Sequence, residues 1–233
     1  MESGLVVYDY NQSRGQTSPG NFLSGFKGIL QTDGYVVYEN IAGKEMKRAC
    51  CMAHARRKFF DAQQNDKQKA SWMLDKMQML YETESFARKE KMNYQKRLEL
   101  RKEKSVPVMN EIKAWLRDNL IQVLPKSAIG IAINYMLPRW DKLNLFTQEG
   151  MLEIDNNLVE NAIRPVALGR KNYLFAGSHE AAKRAGIIYS FIACCKKNGY
   201  DPYTWLEETL SKIQDTKKSD LHTLLPIKKG DGV

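Results

Sequence analysis

Several chemistries are excluded by what this chain has little of. Only four of its 233 residues are cysteine, and they fall as two adjacent pairs, Cys50-Cys51 and Cys194-Cys195. That pattern suits neither a secreted disulfide framework nor a zinc clip of cysteines spaced two apart, and it fits a reducing compartment. No apolar run approaches the roughly 18–20 residues needed to cross a bilayer. The N-terminus also lacks the charged-then-apolar order of an export signal. With three histidines and no phosphate-cradling glycine loop, neither a Ser/His/Asp nucleophile set nor a P-loop can be assembled. There is no internal repeat and no low-complexity linker. The expectation is a soluble cytoplasmic protein with no membrane partner.

What remains is a folded and basic chain. Apolar side chains make up 43% and charged ones 27%, enough to bury one substantial core and too apolar for a disordered tail. Thirty-six Lys and Arg stand against 27 Asp and Glu, a formal charge of +9. Such an excess favours an anionic partner, with nucleic acid the first candidate.

Along the chain, Leu5 to Tyr10 is a β-branched and aromatic run that reads as a strand buried on both faces. Ser18-Pro19 opens a helix with Phe22, Leu23 and Phe26 on one face, and Gly28 is placed to end it. A second strand, Ile29 to Thr32, runs into Asp33-Gly34. Around Ala49-Cys50-Cys51 a short strand passes into a basic helix start, His54 to Phe60. From Ala70 to Leu124 helical periodicity runs almost without Gly or Pro, a long helical insert. Within it, Phe86 to Lys104 carries eight Lys or Arg against three Glu, a charge run that reads as a solvated helix face in preference to a DNA groove. Asp155 begins another helix, and Pro165 disfavours helical geometry at Arg164 and should end it in a basic loop. Ser178 to Asn198 reads as a long helix stopped by Gly199, and Asp201 caps a last helix bearing Tyr203, Leu206 and Leu210.

Two carboxylates are candidates for chemistry. Asp33 falls at the carboxyl end of a buried strand, where α/β sheets collect functional side chains. A metal ligand and a plain turn signal fit Asp33-Gly34 equally well. Glu160 lies opposite the apolar stripe Leu158, Val159, Ala162 and Ile163, on a face shared with Asn156 and Arg164; a surface pair with Arg164 is the plainer alternative. From Arg164 to Lys197 seven cations, Arg164, Arg170, Lys171, Lys183, Arg184, Lys196 and Lys197, face the single acid Glu180. That imbalance, with Tyr173 and Phe175 interleaved, suits a grip on phosphate backbone. Core anchoring is the favoured role of Phe175. Cys51 and His54 form half a zinc site with no second half, so a buried cysteine is favoured.

Taken together, Gly28-Ile-Leu-Gln-Thr-Asp-Gly-Tyr35, Cys51-Met-Ala-His-Ala-Arg-Arg-Lys-Phe59, Asp155-Asn-Asn-Leu-Val-Glu160, the run Ile163 to Ser178, Gly199-Tyr-Asp-Pro202 and Leu224-Leu-Pro226 resemble the insertion-sequence sixty-six family of bacterial transposases. The resemblance implies an α/β fold with a ribonuclease-H-like core, in which two Asp and one Glu hold two divalent ions, Mg²⁺ or Mn²⁺, for attack of water or a DNA 3′ hydroxyl on a phosphodiester. By motif position Asp33 resembles the second Asp and Glu160 the final Glu. Arg56, Arg57, Lys58, Arg164, Arg170, Lys171, Lys183 and Arg184 become the candidate DNA contacts.

The family's first Asp belongs to a strand upstream of the segment resembled by Leu5 to Tyr10. The expectation is therefore a truncated core, first strands missing, with incomplete metal ligation. Asn161 also stands where the family commonly has Arg. The expected division is a partial core over 1–62, the helical insert over 63–145, and the helix of the final Glu, basic region and C-terminal helices over 146–233. Two functions follow: a transposase fragment or shortened copy, catalytically weak alone, or a non-catalytic DNA-binding regulator. Partners would be transposon ends and target DNA, intact transposase or accessory transposition proteins, and a second copy of the chain.

Overall fold

The computed structural model describes residues 4–13, 15–41 and 45–227. Its architecture is mainly helical with one small parallel sheet. Contacts divide the chain into two units, Gly15–Leu158 and Met1–Arg14 with Val159–Val233.

In the first unit, α1 (Thr17–Phe22) precedes β1 (Gly28–Thr32), the short α2 (Val36–Glu39) and β2 (Met46–Cys50). The two strands pair in parallel with Gly28 opposite Met46 and Thr32 opposite Cys50. Both therefore end at the same edge. Gly28 opens β1 at φ +124 and does not cap α1; the helix closes earlier, at Phe22.

The helical region follows as α3 (Met52–Asp61), α4 (Lys67–Lys89), α5 (Tyr94–Leu100) with a wider turn over Arg101–Ser105, α6 (Val106–Leu120), α7 (Ala128–Met136) and α8 (Trp140–Asn144). Short polar residues start three of these helices, α4, α5 and α7, as capping chemistry requires. The side chains of Asp66, Asn93 and Ser127 accept backbone N–H groups from Lys69, Lys96 and Gly130. The core gathers Met52, Ala55 and Phe59 of α3, Met73, Met77 and Leu80 of α4, Met109, Ile112 and Leu116 of α6, and Ile133 and Met136 of α7. Trp72 and Trp115 stack beside it, with ring centroids 5.0 Å apart.

One stripe position of α4 is charged. Glu84 follows Met77 and Leu80 on the buried face and is fully buried. Arg97 and Arg101, one turn apart, close on it. Arg101 Nε and Nη2 donate to the Glu84 carboxylate at 2.7 and 2.8 Å, and Arg97 Nη2 donates to it at 2.5 Å. The remaining Arg101 donors reach the carbonyls of Phe146, Glu149 and Leu152, each at 2.8 Å. Arg97 also grips Glu153 through two bonds of 2.7 Å. All five guanidinium protons of Arg101 are thus used. The charge run is accordingly not a wholly solvated face: two of its arginines are core residues, because five carboxylate and carbonyl partners outside the run, Glu84, Glu153 and the carbonyls of Phe146, Glu149 and Leu152, compensate their desolvation.

In the second unit, Leu5–Tyr10 is an extended segment and not a strand. Its backbone bonds to side chains of α10 (His179–Asn198) in place of a sheet partner, Val6 N to Cys194 Sγ at 3.2 Å and Tyr8 N to Ser190 Oγ at 2.8 Å. Alternate residues Leu5 and Val7 stay exposed. α9 (Asn157–Tyr173) continues through Pro165, so the predicted basic loop is helix. Proline removes one helical hydrogen bond, the one to the Asn161 carbonyl, and the next carbonyl, that of Ala162, accepts the Tyr8 hydroxyl. Ser178 caps α10 through Ala181 N, Gly199 ends it at φ +76, and Asp201 caps α11 (Pro202–Lys212) through Thr204 N.

Replacing Arg101 by Leu leaves the buried Glu84 short of a partner and orphans three carbonyls, so urea unfolding should show a loss of about 3–5 kcal/mol. Burial pushes the Glu84 carboxyl up, but the hydrogen bonds and charges of Arg101 and Arg97 outweigh it and set its pKa below the ordinary value. A lowered folded pKa contributes stability that is complete above the unfolded carboxylate pKa and is lost as pH falls through the folded one. The thermal midpoint should therefore drop on acidification below the usual Glu range, as read by circular dichroism.

Candidate functional site

The parallel pairing of β1 and β2 determines what gathers at their carboxyl edge. The ladder extends one step further through Cys51 N to Thr32 O at 3.1 Å, placing Asp33 and Cys51 just beyond the sheet. The stretch before α9 runs past the same edge. Gln31 Nε2 donates to Glu153 O at 2.7 Å, Met52 N to Ile154 O at 3.1 Å, and Asn156 N to Cys51 Sγ at 3.4 Å. Asn156 is buried, and among the described residues its side-chain oxygen has no hydrogen-bond partner.

Asp33 is exposed, and the turn reading of it has a hydrogen bond behind it. Its Oδ1 accepts Tyr35 N at 2.9 Å, and Gly34 takes φ +85, an Asx turn that leads into α2. Its carboxylate nonetheless stands at the open strand end. The Tyr135 hydroxyl of α7 donates to the Asp33 carbonyl at 3.2 Å, and burial raises the Tyr135 pKa to about 12. Burial and then the nearby Asp155 charge push Tyr81 up as well.

Glu160 lies in the first turn of α9 and is exposed. A carboxylate there is favoured by the helix dipole. Ahead of it, Asp155 accepts Asn157 N at 3.0 Å and Asn157 Nδ2 at 2.8 Å, holding the helix start. The expected apolar stripe of α9 is uncovered, with Leu158, Val159 and Ile163 all exposed, while Asn156, expected on the polar face with Glu160, is buried ahead of the helix. Asp33 belongs to the first unit and Glu160 to the second.

Of the candidate DNA contacts, Arg57 and Lys58 on α3, Arg164, Arg170 and Lys171 on α9, and Lys183 and Arg184 on α10 are exposed, and Arg56 is half-buried. Lys183 pairs with Glu180 at 2.7 Å, so part of the excess charge is balanced locally. Phe175 is 77% exposed and does not anchor the core: with Leu174 at φ +60, the backbone turns the segment outward after α9. Cys51 is buried, burial pushes its thiol up, and Asn156 N tempers that. Among the described residues no group of three His, Cys, Asp or Glu is placed to hold a metal. No described helix is long and apolar enough to cross a membrane. Sequence reasoning overlooked Tyr135 and Arg139, whose four-residue helical spacing was the available signal.

Residues 2–184 match the Transposase IS66 family and residues 190–227 match the IS66 C-terminal element. The chain belongs to the IS66 transposase family. Among its relatives in Sinorhizobium fredii, the uncharacterized protein y4jD is 35% identical over 231 residues, covering 95% of this chain and 45% of that protein. The uncharacterized protein y4qI is 37% identical over 232 residues, covering 95% and 43%. The chain thus spans less than half the length of these relatives. No solved structure matches it. Family membership covers both units, including the motifs around Asp33 and Glu160.

The two roles of Asp33 separate by substitution. Asn preserves the acceptor for Tyr35 N, whereas Ala removes it, so Asp33→Asn should melt like the parent and Asp33→Ala should lose about 1 kcal/mol. Equal melting of both variants would show that the turn needs no side-chain acceptor.

Proposed function

We propose that this chain acts in DNA transposition, as the part of a transposase that carries two metal-ligating carboxylates, Asp33 and Glu160, and much of the DNA-gripping surface. The observation that carries this reading is the family match over both units, joined to the position of Asp33 at the open end of a parallel strand. In this reading β1, β2 and their flanking helices belong to a ribonuclease-H-like core interrupted by the helical insert, and the exposed cations of α3, α9 and α10 hold the phosphate backbone.

Hard oxygen donors suit Mg²⁺ or Mn²⁺, and Asp33 and Glu160 are the residues that would hold it. When bound, the metal supplies activation of water or a DNA 3′ hydroxyl for attack on a phosphodiester. Two carboxylates fall short of the donors that two ions need, so catalysis by these 233 residues alone is expected to be weak. A DNA-binding role without cleavage is the second reading, favoured by the exposed cations Arg164, Arg170, Lys171 and Arg184.

The purified chain should bind duplex DNA with little sequence preference and with an affinity that falls steeply with salt. Neutralising Arg170, Lys171, Lys183 and Arg184 together should weaken binding and flatten the salt dependence, measured by fluorescence anisotropy; unchanged binding would remove the basis for the grip. Nicking of supercoiled plasmid in Mg²⁺ should be slight. Robust nicking lost in Asp33→Ala and Glu160→Ala would overturn the expected deficiency and show that two carboxylates suffice.

A further inference from the structure

Three arginines of the first unit are set apart by their surroundings. Arg97 and Arg101 are buried and neutralised by Glu84 and Glu153. Arg139, just after α7, is half-buried, and among the described residues it pairs with no carboxylate. Its guanidinium carbon lies 4.5 Å from the centroid of the Tyr135 ring, and Nη1 donates to the Tyr135 carbonyl at 3.2 Å. Nε is shielded and, among the described residues, has no acceptor. The nearby carboxylate of Glu39 is taken by Lys142 and by Arg48 at 3.8 Å.

One side of this guanidinium leads to Asp33. The Tyr135 hydroxyl donates to the Asp33 carbonyl, and Lys58 Nζ stands 6.0 Å from the same ring. Gly34 is confined from two sides: its φ is +85, and a Cβ there would come within 3.2 Å of the Tyr135 hydroxyl and 3.3 Å of Arg139 Nε. The tyrosine ring therefore holds a cation 4.5 Å away and another at 6.0 Å, and the backbone of the candidate metal-ligating loop presses against it with no side chain between.

We propose that Arg139, stacked on Tyr135 and supported by Lys58, is a phosphate clamp through which the helical insert holds a DNA backbone phosphate beside Asp33. A planar guanidinium fixed by ring stacking loses little freedom on binding, and its fork matches two phosphate oxygens. The clamp rests on the DNA-transposition reading and adds to it a specific role for a residue outside the family motifs around Asp33 and Glu160.

The test is fluorescence anisotropy of a short labelled duplex with the full chain and with Arg139→Ala, Arg139→Gln, Arg139→Lys and Lys126→Ala. Gln retains a flat polar end over Tyr135 without charge and covers the case in which Ala perturbs folding. Lys126 is an exposed cation of the same unit and reports the effect of bulk charge alone. Both Arg139→Ala and Arg139→Gln should lower affinity by about tenfold and reduce the salt slope by about 1, Arg139→Lys should retain part of the binding, and Lys126→Ala should match the parent. Parent-like binding by Arg139→Gln, or a loss no greater than that of Lys126→Ala, would overturn the clamp while leaving DNA binding by the chain intact. Failure of the unmodified chain to bind DNA would overturn both the clamp and the reading beneath it.

Discussion

The first unit depends on one buried carboxylate being held by two guanidinium groups. A lone Glu84 in the interior would be protonated or expelled. With Arg97, Arg101 and Glu153 it becomes a neutral knot of two acids and two bases, its hydrogen bonds between 2.5 and 3.0 Å. Such a knot adds little net stability compared with a well-packed apolar alternative. It supplies geometry. The carbonyls of Phe146, Glu149 and Leu152 are fixed by Arg101, so the chain arrives at Asp155 with its direction already set by α4 and α5.

From there the carboxyl edge of the sheet follows. Gln31 and Met52 hold the Glu153 and Ile154 carbonyls, and Asp155 closes the first turn of the helix that bears Glu160. Long helical segments between the two candidate carboxylates are thus not a mere interruption of the fold. They brace the stretch leading to Glu160 through Arg101, and they reach Asp33 through Tyr135.

The features legible in the sequence were those set by local chemistry. Ser178 and Gly199 bounded α10, Asp201 capped α11, and the apolar run ending at Thr32 formed a strand, because capping and propensity act within a few residues. Misreadings arose where distant partners decide. Leu5–Tyr10 has the alternation of a strand but bonds to Cys194 and Ser190, some 180 residues away along the chain. Arg97 and Arg101 looked like surface charge because nothing near them in sequence reveals Glu84 or the carbonyls of 146–152. Pro165 is a strong local breaker, yet helix on both sides outweighs one lost hydrogen bond. Phe175 has the hydrophobicity of a core residue and stands exposed. For the candidate site, the carboxylates were recognisable from motif and strand position, while Arg139 was not, since its significance comes from the backbone of Gly34 passing beside it.

The methionine content of the core has a consequence of its own. Met52, Met73, Met77, Met109 and Met136 are all at most 1% exposed, and their unbranched thioethers adapt to irregular gaps between α3, α4, α6 and α7. Peroxide converts such sulfurs into polar sulfoxides that cannot return to the same space. While the helices stay closed the reagent has no access, so the pace at which these five sulfurs oxidise is a clock for transient opening of the bundle, read by mass spectrometry without any engineered label.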